Sequence, residues 1–118
     1  VTAGLNHSLD EARSFGVKDE QIVLDIGIGF GKRLEQNLEL IAKLGKLQKE
    51  FPNFPLLVGT SRKSFIGKLL GGRPVEERIY GSIATAVVAV WNGANIVRVH
   101  DVRETVDALT ITGKLLKV

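Results

Sequence analysis

Three short stretches of this sequence place side chains that could work on an anionic or nitrogen-rich ligand. Asp25 ends the apolar run Ile22-Val23-Leu24 and opens onto Gly27, Gly29, Gly31 and Lys32. Arg62 and Lys63 follow Leu57-Val58-Gly59 in a turn flanked by Ser61 and Ser64. Arg98 and His100 stand two apart in Ile96-Val97-Arg98-Val99-His100-Asp101. A carboxylate such as Asp25 can accept two parallel N–H bonds from a guanidine-like edge. Adjacent bases in a turn can reach one pocket, and serines at a helix start stand beside backbone N–H groups that favour an anion. Residues two apart on a strand share a face, so Arg98 and His100 look the same way. A charged inward face on a buried strand needs a ligand or a countercharge.

Each signal has a plainer reading. Asp25 could cap a helix or pair in a salt bridge, and Arg98 could pair with Asp25 or Asp101. The basic turn could be solvated. The glycine run fails the phosphate-loop pattern, because Ile26 stands where the first glycine belongs and Arg33 replaces Ser/Thr. It fails the dinucleotide fingerprint too, because Lys32 sits where a third glycine is needed. Alternate glycines still allow a flat ligand to approach the backbone closely. A lone His7 reads as a surface residue.

The elements that must position these groups follow from periodicity. Ser8 is placed to cap a helix over Leu9–Phe15, with Leu9, Ala12 and Phe15 on one side and Gly16 as its stop. Residues Gln21–Asp25, Leu56–Gly59 and Asn95–His100 read as strands, the first continuously apolar as if buried on both faces. Leu34, Leu38, Ile41, Leu44, Leu47 and Phe51 predict one amphipathic helix, ended by Pro52 and Pro55. Phe65, Ile66, Leu69 and Leu70 predict a short helix. Pro74 suits a helix start, with Val75, Ile79, Ile83, Val87, Val90 and Trp91 as the buried stripe and Gly93 as the stop. Asp101 and Glu104 match a capping box for a last helix carrying Val102, Val106, Leu109 and Leu116 on one stripe. Alternating strand and helix predict an α/β fold with parallel strands, either a doubly wound sheet or a (β/α)8 barrel. Either fold binds ligands at the carboxyl ends of its strands, where all these polar residues fall.

Composition narrows the class. With 118 residues, 44% hydrophobic and 25% charged, the chain can bury a core. It has no cysteine, which excludes disulfides and thiolate metal sites and fits a cytoplasmic protein. Its net charge of +3 comes without a basic tail and with few aromatics, which argues against nucleic acid as partner. No run is long enough for a membrane span. A chain that begins at Val1 and contains no methionine is expected to be a piece of a longer polypeptide.

LDIGIGFGK, LLVGTSRKSFIG, Arg78 with GSIATAV, and IVRVHDV occur in this order in a sequence that resembles the dihydropteroate synthase family. The resemblance runs over roughly residues 9–113. It implies that residues 1–118 are a C-terminal fragment of a single pterin-binding (β/α)8 domain: the end of helix 5, then strands and helices 6, 7 and 8, an incomplete barrel. The family joins p-aminobenzoate to a dihydropterin hydroxymethyl pyrophosphate, releases pyrophosphate, makes folate and is the sulfonamide target. By resemblance, Asp25 and Lys63 bind the pterin, Phe30, Arg62 and Ser64 line the p-aminobenzoate site, and Arg98 and His100 hold the pyrophosphate. No protein nucleophile is implied. Mg2+ is expected for the full enzyme, its ligand loop lying upstream of this chain, and a homodimer is expected. The family usually has proline where this chain has Ile26, which puts the aim of Asp25 in question. The fragment alone is expected to be inactive. Two other readings stand beside this one: a non-catalytic pterin-binding module or a piece of a methyltransferase-type pterin-binding barrel, and a unit serving only in interaction or dimerisation.

Overall fold

The computed structural model describes residues 1–118. Three parallel strands, β1 (Leu24–Asp25), β2 (Leu56–Val58) and β3 (Ile96–Val97), lie side by side in chain order. In the register Leu24 opposes Leu56, Asp25 opposes Leu57, Leu57 opposes Ile96 and Val58 opposes Val97. Strand side chains alternate between faces. Leu24, Leu56 and Val58 face one side and are buried beside Ile26, Ile41, Leu44 and Leu47. Asp25 and Ile96, on the other side, are exposed. Helices therefore cover one face only. A doubly wound sheet would carry them on both; neighbours in chain order with helices on one face form the wall of a barrel. The sheet is open at both edges.

The strands are shorter than the apolar runs predict. Residues Asp19–Gln21 form a 3₁₀ turn, and Val23 is exposed where a strand buried on both faces was expected. The inner face of this sheet has no second layer, so continuous hydrophobicity does not become burial.

Helix α1 runs from Thr2 to Ser14, well before the expected cap. Leu5, Leu9 and Ala12 form its inward face, Ser8 is interior to it, and Phe15 is exposed beyond its end. Gly16 stops it as expected, at φ 84°.

The long predicted helix is two, α2 (Leu34–Ala42) and α3 (Leu44–Glu50). Asn92 Nδ2 donates to the carbonyls of Ile41 (2.9 Å) and Ala42 (3.3 Å), engaging acceptors that a continuous helix would direct to its own next turn. Leu38 is exposed, and Asn37 takes the buried place beside it.

Helix α4 (Ser64–Leu69) is followed by a 3₁₀ turn at Val75–Glu77 and by α5 (Ile79–Trp91). The expected stripe of α5 is corrected: its buried residues are Ser82, Ala86 and Ala89, while Val75 and Trp91 are exposed. Small side chains let α5 sit close to its neighbours; Gly81 leaves no room for a Cβ, which would stand 2.3 Å from Ile66 Cγ2.

The last helix, α6 (Val102–Leu116), turns Thr105 and Thr112 inward and leaves Val102, Val106 and Leu116 exposed. Its capping box does not form. Asp101 is the N-cap residue without a side-chain cap bond, because its carboxylate is taken by Arg62. No helix is long and apolar enough to cross a membrane.

Candidate functional site

The turns after the three strands meet at the carboxyl edge of the sheet. After β1, Gly27, Gly29 and Gly31 all have left-handed backbone, with φ of 72°, 85° and 62°. That conformation is costly for any residue with a Cβ, so the alternate glycines are what let this turn fold. Gly29 donates its N–H to the buried Asn37 Oδ1 at 2.9 Å. Lys32 bends back on the turn, its Nζ donating to the carbonyls of Gly27 (2.7 Å) and Phe30 (3.1 Å). It ties the loop rather than reaching for a phosphate.

Asp25 is aimed by its own turn: its Oδ1 accepts from the Gly27 N–H at 2.9 Å. Ile26 makes a bond that a proline there would lack, N–H to the Leu57 carbonyl at 3.4 Å, and its side chain is buried. The residue at this position thus extends the ladder between β1 and β2, and the anchor of Asp25 is kept.

Lys63 leaves the turn after β2 and crosses to the turn after β1. Its stem lies over Gly29, where a Cβ would come within 3.1 Å of Lys63 Cδ. Its Nζ donates to the Ile28 carbonyl and sits 4.8 Å from the centre of the Phe30 ring, within cation–π range. Burial pushes the Lys63 ammonium below its ordinary pKa; Arg98 adds repulsion, Asp25 opposes the shift and Lys32 adds to it. Phe30 is exposed, its ring available on the side away from the lysine.

Arg98 and His100 share a cleft, as the spacing predicts, although β3 ends before them at Val97. Gly59, Ser61, Lys63, Arg98, Val99 and His100 enclose about 110 Å³. Arg98 lies over Gly59, whose absent Cβ would stand 3.1 Å from its Nη2. Neither suggested countercharge is used: Arg98 makes no ion pair. His100 is bound to the buried Ser61, whose Oγ lies 2.9 Å from Nδ1 and accepts the His100 N–H at 3.1 Å.

Arg62 is turned away from this cleft. It pairs with Asp101, Nη2 to Oδ1 at 2.8 Å and Nε to Oδ2 at 3.4 Å. The hydrogen bond from Arg62 holds the Asp101 carboxyl below its ordinary pKa, against the effect of burial, with the nearby charge of Arg62 assisting. Ser64 opens α4 and is exposed. His7 is exposed, 3.8 Å from Glu11.

Sequence reading missed the brace behind the turn. Three side chains of the α5 region hold it: Arg78 Nη1 donates to the Arg62 carbonyl (2.9 Å), Ser82 Oγ accepts from the Arg62 N–H (2.8 Å), and Thr85 Oγ1 donates to Thr60 Oγ1 (2.7 Å). Arg78, Ser82 and Thr85 fall at helical spacing and within the motif that carries the resemblance, but neither signal says that they hold the turn after β2. A cavity of about 610 Å³ lies between the start of α1, the Phe30–Lys32 end of the glycine turn and the α2–α3 pair.

What results is a small cationic cleft, with a carboxylate and an exposed aromatic ring beside it. It suits an anion next to a flat, nitrogen-bearing ring system.

Known proteins share this fold. The family described as "Pterin binding enzyme" matches residues 1–100. Dihydropteroate synthase of Synechocystis is 54% identical over 94 residues, covering 80% of this chain and 32% of its own. That of Escherichia coli is 51% identical over 96 residues, covering 81% and 33%. The solved structure of Yersinia pestis DHPS with a pterine-sulfa conjugate superposes with a TM-score of 0.94 at 42% identity, covering 99% of this chain and 44% of that one. The chain thus spans about a third of the length of the curated relatives it matches. Its open sheet is an α/β segment of the barrel found in those structures. Because the family match takes in the ends of all three strands, the chain belongs to the pterin-binding enzyme family.

Proposed function

We propose that the whole protein is a dihydropteroate synthase, and that these 118 residues carry part of its site. The observation that supports this most is the meeting of Lys63, Arg98 and His100 in one cleft at the carboxyl ends of three parallel strands. The substrates in this reading are p-aminobenzoate and 6-hydroxymethyl-7,8-dihydropterin pyrophosphate. The amine of p-aminobenzoate attacks the methylene; an N–C bond forms, the C–O bond to pyrophosphate breaks, and nitrogen loses a proton. Charge builds on the departing pyrophosphate, where Arg98 and His100 can donate hydrogen bonds to it. Asp25, held by the Gly27 N–H, accepts from the donor edge of the pterin, and Lys63 faces its oxo and ring-nitrogen side. Phe30 and Ser64 line the p-aminobenzoate side. Arg62, with its guanidinium engaged by Asp101, frames that side.

Mg2+ belongs to the whole enzyme in this reading. No three His, Cys, Asp or Glu side chains converge here, so the residues present do not form a site for it. A cytoplasmic location and sulfonamide competition for the p-aminobenzoate site belong to the same reading; the Yersinia pestis relative was solved with a pterine-sulfa conjugate. A homodimer is part of it too, supported by the apolar stripe α6 leaves uncovered, Val102, Val106 and Leu116.

The test is a chimaera in which this chain replaces the matching segment of the Escherichia coli relative. Formation of dihydropteroate, lost in Lys63→Met and Arg98→Met, supports the reading. A folded chimaera that binds pterin but turns nothing over sinks it in favour of a pterin-only module. The isolated 118-residue chain should show no turnover.

A further inference from the structure

We infer that Ser61 is a positioning residue that fixes the tautomer of His100, leaving Nε2 as the ring nitrogen that carries hydrogen and donates to an anionic oxygen in the cleft. This rests on the reading of the cleft as a pyrophosphate site, and deepens it.

Hydrogen-bond accounting carries the inference. Ser61 is 7% exposed and, although it lines the cleft, its Oγ already meets two groups of His100, so its hydroxyl is paired within the protein. A hydroxyl has one hydrogen to give and two lone pairs to fill. The His100 N–H fills one lone pair at 3.1 Å. The one other partner of Oγ is His100 Nδ1, at 2.9 Å. If Nδ1 carried the ring hydrogen, both contacts would be donors into Oγ, and the hydroxyl hydrogen would have no acceptor. With the hydrogen on Nε2, Nδ1 accepts from Ser61 and every group is paired.

The consequence is electrostatic. A neutral imidazole offers a donor at one nitrogen and a lone pair at the other. With the opposite tautomer, His100 would turn a lone pair toward an anion that Arg98 attracts. Ser61 sits in the turn after β2 and His100 in the segment after β3, so this single hydroxyl both joins two strand ends and sets which way the ring donates.

The test uses the 118-residue chain labelled with 15N-histidine. It has two histidines, and His7, with its side chain 82% exposed, is the internal solvent reference. Long-range 1H–15N spectra are recorded about two units above the ordinary imidazole pKa of about 6.5. His100 should appear as one tautomer, Nδ1 bare and Nε2 protonated, whereas His7 shows the mixture of a free ring. Ser61→Ala should move His100 to the His7 pattern, and Ser61→Thr, which keeps the hydroxyl, should restore it. A protonated Nδ1 in the wild type overturns the assignment whether or not Ser61→Ala folds; an unshifted pattern in folded Ser61→Ala overturns the role of Ser61. Inorganic pyrophosphate is then titrated into the chimaera with the Escherichia coli relative, in which the rest of the site is present. Ser61→Ala should weaken it about tenfold, what one good hydrogen bond to a charged group supplies. Unchanged affinity overturns the positioning role. A chimaera that binds no pyrophosphate, although the chain shows the expected tautomer, overturns instead the reading of the cleft.

Discussion

Arg62 holds a left-handed backbone, φ 56°, and Ser82 of α5 holds Arg62, its Oγ accepting the Arg62 N–H at 2.8 Å. No other non-glycine residue has positive φ. The strained residue immediately precedes Lys63, so its conformation decides where the lysine leaves the turn. Ser82→Ala removes the acceptor of a partly buried amide. Stability should fall by about 1–3 kcal/mol, the usual cost of an unpaired buried donor. Urea unfolding of the variant against wild type reads this. A midpoint that does not move would mean the amide is satisfied by water and the brace is not needed.

Gly81 tests whether α5 is placed by packing or by helix propensity. Propensity alone predicts that Gly81→Ala stabilises α5 by about 1 kcal/mol. Against this, the new Cβ would stand 2.3 Å from Cγ2 of Ile66, which is buried on α4. Overpacking costs about 1–3 kcal/mol, so packing should win and the variant should be less stable. In an Ile66→Ala background the clash is gone, and Gly81→Ala should there cost nothing or gain. Equal penalties in both backgrounds would show that the two helices do not meet at this pair.

Much of this was legible beforehand, and the misses share a cause. Periodicity located the strand ends, so the chain positions of Asp25, Lys63, Arg98 and His100 could be read as one edge. The stop at Gly16 could be read because left-handed backbone favours glycine. Burial could not be read where a partner surface is missing. Val102, Val106 and Trp91 are apolar at helical spacing yet exposed, and Thr105 and Thr112 lie inward instead. Apolar spacing says that a face is to be covered, not by what. Long-range side-chain choices were equally hidden: Asp101 could cap α6 or pair with Arg62, and only the fold brings Arg62 to it. The break at Lys43 depends on Asn92, about fifty residues away in sequence.

The Arg62–Asp101 pair gives the acid limb of stability a definite sign. Asp101 titrates below its ordinary pKa in the fold, chiefly through the hydrogen bond from Arg62. A carboxyl so shifted stabilises the fold above the unfolded value, near 3.8, and that contribution is lost as pH falls through the folded pKa. Asp101→Asn should therefore be less stable than wild type at neutral pH and should lose less on acidification below 3.8. Asp19, shifted the same way by Arg13, leaves part of the acid dependence in place. Chemical unfolding at a series of pH values checks this. Parallel curves for variant and wild type would mean the pair contributes nothing in solution.

Lys63 sets the opposite limb. Burial, Arg98 and Lys32 lower its pKa from 10.5 while Asp25 raises it. Between the folded pKa and 10.5 the unfolded chain holds more protons on this residue than the fold does, so stability contributed by Lys63 rises with pH through that window. Below the window the ammonium is carried at a cost. Lys63→Met lacks the titration, and the difference in unfolding free energy should shift in favour of wild type as pH climbs toward 10.5. An anion seated between Lys63 and Arg98 offsets their repulsion and favours the charged lysine. In the chimaera with the Escherichia coli relative, saturating inorganic pyrophosphate should then flatten the slope with Lys63 in place and leave that of Lys63→Met unchanged. A slope that pyrophosphate does not alter would place the anion out of reach of Lys63, and leave the lysine to the ring alone.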